Sequence, residues 1–146
     1  MSRTPLFTVR RAQWQADGAL LSAIRRAVFV VEQRVPDEEE WDDRDAVSRH
    51  VIALAADGSA IGTGRLLPNG HIGRMAVIRP WRERGVGSAL LTTLIAMARE
   101  AGFVETQLHA QTHALAFYRK HGYTPFGDEF TEAGIPHVAM RLRLKP

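Results

Sequence analysis

Cysteine is absent from the 146 residues, which excludes disulfides, thiolate metal centres and a cysteine nucleophile and points to a reducing compartment. Long apolar runs are missing too. No stretch reaches the roughly 18 apolar residues of a membrane span, and the opening MSRTPLFTVRR lacks the apolar core of a signal peptide. Lysine does not occur before Lys120, so a Walker loop with its Gly-Lys-Ser/Thr is ruled out, and ATP by that route with it. The expectation is a cytoplasmic protein.

What is present fits one globular domain, 1–146, with 45% hydrophobic and 24% charged residues. The net charge of +3 hides an uneven distribution, because seven of the 16 acids fall between Asp37 and Asp45. Outside that segment 18 Lys and Arg stand against nine acids, a balance that favours an anionic ligand and, less strongly, nucleic acid. Nucleic acid has no further support, since neither an aromatic-basic platform nor a reading helix is recognisable. The acidic run reads as a solvated face that would also attract a cationic amine.

Apolar periodicity orders the elements. LFTVRRA (6–12) reads as a strand, and Asp17 as the cap of a helix carrying Leu20, Leu21, Ile24, Val28 and Val31, stopped by Pro36. RHVIALAA (49–56) and AIGTGRLL (60–67), split by Asp57-Gly58, form a hairpin, and HIGRMAV adds a strand after Pro68-Asn69-Gly70. Beyond Pro80, Val86, Leu90, Leu94 and Met97 mark a mostly buried helix ended by Gly102. VETQLHA (104–110) is a further strand, HALAFYRKHG (113–122) a short helix, and the tail supplies strands near 123–130 and 137–144. This order implies a mixed sheet covered by helices.

The stretch PWRERGVGSALL (80–91) carries the first chemical signal. Gly85 and Gly87 lie between a strand and a helix, where missing side chains let an anionic ligand reach unpaired backbone N–H groups at the positive helix end. Arg82 and Arg84 add charge suited to a pyrophosphate. A dinucleotide fingerprint fails, because Leu90 stands where a third glycine is required.

Arg82-Glu83-Arg84-Gly85-Val86-Gly87 resembles the acyl-CoA pyrophosphate loop of the GNAT N-acetyltransferase superfamily. RMAV before it resembles the pantetheine-pairing strand, and ALAFYRKHGY the superfamily's second cofactor segment. VFVVEQRVP, WDDRD with His50, and AGIPHVAM resemble the ElaA-like branch. The resemblance implies an α/β (α+β) fold, a mixed and mostly antiparallel central sheet flanked by helices. It also implies acetyl-CoA as cosubstrate, held by Met75, Ala76, Val77, Arg82, Arg84, Gly85, Val86, Gly87 and Ser88. Glu83 would point away from the phosphates, and Gln111 stands where many members have asparagine.

Acetyl transfer to an amine needs a neutral nitrogen, a polarised carbonyl and a proton for the departing thiolate. Tyr118 matches the tyrosine that commonly sits near the cofactor sulfur and is the candidate acid. Glu32 and His109 are the candidate bases, with His50 and His137 behind them, and a water chain is the alternative to a single base. His109 and His113 have the i, i+4 spacing of a zinc helix, but the glutamate of HExxH is missing and the two fall on different elements, so no metal is expected. The expected activity is direct transfer of acetyl to a small-molecule or peptide primary amine, with neither nucleic acid nor membrane as partner and a homodimer compatible. A non-catalytic acyl-CoA sensor is the second reading.

Overall fold

The structure, a computed structural model, describes residues 6–145. Seven strands, β1 (Phe7–Ala12), β2 (Arg49–Ala55), β3 (Ala60–Leu66), β4 (His71–Val77), β5 (Glu105–Gln111), β6 (Thr124–Glu132) and β7 (Ile135–Arg143), form one sheet. Its order is β1-β2-β3-β4-β5-β7-β6, and every neighbouring pair is antiparallel except β4 with β5. Helices α1 (Trp14–Arg25), α2 (Asp37–Glu40), α3 (Val86–Glu100) and α4 (Leu115–Lys120) complete the chain.

The apolar alternation of the central strands divides the core between two faces. On one face α3 buries Val86, Leu90, Leu91 and Leu94 against Val51, Ile61, Ile72 and Leu108. Each buried leucine contributes roughly 1.5–3 kcal/mol. A side chain on Gly64 of β3 would come within 2.7 Å of Leu94, so the glycine lets α3 lie close to the strand. On the other face Leu21 and Ile24 of α1, with Val28 just beyond it, pack against Ile52 and Ala76.

α1 departs from the pattern its sequence implies. It begins at Trp14, and Asp17 lies inside the first turn, accepting the Gln13 N–H at 3.0 Å and pairing with Arg10 at 2.9 Å. From Arg26 to Glu32 the helix continues as a π-helix. The wider turn shifts the phase of every later residue, so Val31, expected on the apolar stripe, is 70% exposed. Leu20 is also exposed, because the neighbouring Leu21 takes the core position.

The acidic run is not simply a solvated face. Glu40 and Asp45 are buried, and both close on Arg25, at 2.7 Å each. Arg65 binds Asp42 at 2.9 Å and Asp45 at 3.0 Å, and Arg74 approaches Glu40 at 3.3 Å. Three arginines from α1, β3 and β4 thus neutralise three of the seven acids, which fixes the acidic segment to the sheet. Glu38, Glu39 and Asp43 remain at the surface.

Candidate active site

Two irregularities in β4 open the sheet. Its register with β3 passes from Thr63↔Ala76 to Arg65↔Gly73, so Gly64 faces both Arg74 and Met75. Arg74 takes a φ of 51°, and the strand bends there. β4 also pairs with β5 only at His71↔Gln107 and Ile72↔Leu108, after which the two strands diverge. The result is a cleft of about 720 Å³ whose lining includes Met75, Val77, Arg82, His109, Gln111 and Tyr118.

Ile78 N–H bonds Ile61, so by strand alternation Met75 and Val77 direct their backbone groups toward the open edge. One of these, the Val77 carbonyl, accepts from Arg82 Nε at 2.9 Å. Ala76 faces α1 and belongs to its core.

α3 begins at Val86, four residues after Arg82 of the cleft. Its first helical bond runs from Ala89 N–H to Gly85, leaving the amides of Val86, Gly87 and Ser88 ahead of any helical acceptor. Gly85 holds a φ of 84°, and no atom lies within 4 Å of where its side chain would be. Glu83 also takes a left-handed φ, 62°. Open space before a positive helix end fits a polyphosphate.

A side chain on Gly87 would begin 3.5 Å from the Phe117 ring of α4, an ordinary contact distance. The Ser88 hydroxyl is bonded to His121 Nε2 at 2.8 Å. Arg84 is exposed and lies over the Trp81 ring at 5.2 Å.

Arg82 turns away from the loop's solvent side and grips Glu32 with both terminal nitrogens, at 2.5 and 2.7 Å. That pairing holds the Glu32 carboxyl below its usual range, so it remains a carboxylate and makes a poor proton acceptor.

Tyr118 lines the cleft on the α3 side, its hydroxyl 4.0 Å from Met75 Sδ. Burial, with Tyr123 adding to it, pushes its pKa up to about 12, so the phenol keeps its proton at neutral pH. Gln111 crosses the cleft and exchanges amide hydrogen bonds with Gln33 at 3.1 and 3.4 Å.

His109 lies on the opposite face of the sheet from Leu108 and Ala110, with Nδ1 3.3 Å from Glu132. His137 reaches the same carboxylate, its Nε2 at 3.7 Å, while its Nδ1–H donates to the Ile135 carbonyl. His50 is remote from this chemistry: it is buried, stacked on Trp14 and bonded to the Asp45 carbonyl. The residues that sequence reasoning missed are His71, Gln33 and Glu132. No local signal marks them, since each acquires its neighbours only through strand order.

The chain matches the family described as Acetyltransferase (GNAT) domain over residues 16–144. It is 38% identical over 121 residues to the uncharacterized N-acetyltransferase YjcF of Bacillus subtilis, covering 80% of this chain and 86% of that one. An acyl-CoA N-acyltransferase from Pseudomonas aeruginosa superposes with a TM-score of 0.77 at 31% identity, covering 92% and 97% of the two chains. Escherichia coli ElaA superposes with a TM-score of 0.82 at 26% identity, covering 92% and 98%. By this family match and these relatives, the chain belongs to the GNAT acetyltransferase family.

Proposed function

We propose that the chain transfers the acetyl group of acetyl-CoA directly to a primary amine. The observation that carries this reading is the cleft along the open edge of β4, lined by Met75, Val77, Arg82 and Tyr118, with the free amides that open α3 beginning four residues after Arg82. The amides of Val86, Gly87 and Ser88 would hold the pyrophosphate, with Arg84 adding charge at the rim. Met75 and Val77 would pair with the pantetheine amides as an added strand does. Acetyl-CoA supplies an activated acyl group when bound.

The chain's own residues do the remaining work. Backbone N–H groups at the bulge are suited to polarise a carbonyl, and Tyr118 keeps the proton that a departing thiolate requires. The test is a thermal shift with saturating acetyl-CoA, followed by release of free CoA against a panel of amines. A ligand held by native backbone amides binds only the folded state, so the melting temperature rises. No rise, with a larger one for ATP or NADH, would remove the acyl-CoA reading.

A further inference from the structure

Arg74, the residue at the bulge of β4, takes a φ of 51°, a left-handed conformation that a Cβ disfavours and that the adjacent Gly73 does not share. A residue with a side chain stays in that region only where its surroundings hold it. Its own guanidinium supplies the hold. Arg74 Nη2 donates to the Glu40 carbonyl at 3.1 Å and lies 3.4 Å from Asp42 Oδ2. Its Nε is 3.3 Å from Glu40 Oε2, an ion-pair distance without the alignment of a hydrogen bond.

The anchor is itself fixed. Glu40 is buried and accepts from Arg25 Nε at 2.7 Å, while its carbonyl also accepts from Arg25 Nη2 at 3.3 Å. Asp42 accepts from both terminal nitrogens of Arg65, at 2.9 and 3.1 Å. Arg65 stands on β3 opposite Gly73, so Asp42 reaches both strands at the irregularity, β3 through Arg65 and β4 through Arg74. Glu40, Asp42 and Asp45 balance Arg25, Arg65 and Arg74 in charge, which suits this part of the acidic segment to holding backbone rather than to attracting an ion.

Resting on the acyl-transfer reading above, we infer that Arg74 is a positioning residue: clamped by Glu40 and Asp42, it aims the Met75 N–H at the carbonyl of bound acetyl-CoA. That N–H belongs to the peptide plane between Arg74 and Met75, so a rotation at Arg74 turns the donor directly. Met75 lines the cleft beside Tyr118, whose hydroxyl is 4.0 Å from its Sδ. Its carbonyl and the groups of Val77 are left for the pantetheine amides. A donor polarises a carbonyl only while it stays aligned with the oxygen. The acidic run thereby acts on the chemistry through backbone geometry, without touching the acyl group.

The experiment records the infrared band of acetyl-CoA isotope-labelled at its thioester carbonyl, bound to wild type, Arg74→Ala, Arg74→Gly and Arg74→Lys, with calorimetry giving the affinity of each. In wild type the band should fall below its position in free acetyl-CoA, because N–H donation weakens the C=O bond. Arg74→Ala loses the anchor but keeps the cost of a Cβ at this φ, so the peptide turns and most of the shift should vanish. Arg74→Gly holds the same φ without that cost and should keep part of the shift. Arg74→Lys, whose ammonium can meet the same acids, should keep most of it. Affinity should change little, and kcat of Arg74→Ala on an amine that the wild type acetylates should fall about 10²-fold.

A wild-type band at its free position, or a band equally shifted in wild type and Arg74→Ala, would overturn the inference. So would equal loss in Arg74→Ala and Arg74→Gly with full recovery in Arg74→Lys, since charge rather than backbone would then be the cause. Should Arg74→Ala not fold, the other two variants decide, and Arg74→Gly with the full wild-type shift overturns the clamp. Wild type that fails to bind acetyl-CoA would count against the acyl-CoA reading itself, and the inference would fall with it.

Discussion

Arg82 and Glu32, 50 residues apart, form a two-pronged ion pair that ties the π-helical end of α1 to the loop before α3. The pair also reaches the open strand through the Arg82 bond to the Val77 carbonyl. The ion pair thus links the loop before α3 to both the helix end and the strand.

Glu32→Gln should raise the acetyl-CoA dissociation constant only about 2- to 5-fold, because a part-exposed ion pair is worth roughly 0.5–1 kcal/mol. Isothermal calorimetry measures it. The depressed Glu32 carboxyl contributes stability above its unfolded range, and that contribution is lost as pH falls through the folded value. Denaturation of the variant should show a weaker acid dependence than wild type. A turnover loss of 10²-fold with unchanged binding would instead make Glu32 the base.

Gly85→Ala should weaken acetyl-CoA binding more than Arg84→Ala. The φ of 84° costs an alanine roughly 1 kcal/mol, and relieving it rotates the amides ahead of α3. Arg84 is exposed, and its loss removes only partial charge pairing. Gly87→Val should act differently, pushing Phe117 and with it α4, so that turnover falls more than affinity. Calorimetry beside steady-state rates separates the three.

Tyr118→Phe keeps the ring and deletes a hydroxyl whose hydrogen-bond partner among the described residues is Met75 Sδ at 4.0 Å, so stability should barely change. Turnover should fall about 10²-fold or more, with the acetyl-CoA dissociation constant nearly constant. Full turnover on a confirmed acceptor would reduce Tyr118 to a packing residue.

His71 gives the stability a pH slope. Its folded pKa of about 4 lies below the unfolded value near 6.5, so the unfolded chain takes up the proton first. The contribution is complete above the unfolded pKa and is lost as pH falls through the folded one. Urea denaturation between these values should show His71→Gln losing less stability than wild type. Parallel slopes would mean that the imidazole is solvated.

Much of the fold was legible because its signals are local. The strands β2 and β3, the Asp57-Gly58 turn and the apolar stripe of α3 all follow from neighbours within a few residues, and they stand where the sequence implies. α1 was harder to read, since its switch to π-turns at Arg26 breaks a helical period without any proline or glycine to announce it. The acidic run misled for a related reason. Charge density cannot reveal that Arg25, Arg65 and Arg74 meet it from three other elements.

By itself, the sequence determined the left-handed loop at Gly85, the start of α3 behind it and the tyrosine that follows β5, because each depends on bonds and periodicity within one segment. Only the tertiary structure decided that Arg82 serves Glu32, that Phe117 lies beside Gly87, and that His71, His109 and Glu132 share one vertex. These meetings depend on the order β4-β5-β7-β6 and on where β4 leaves β5. Strand order is settled by the packing of the whole core, so no single segment encodes it.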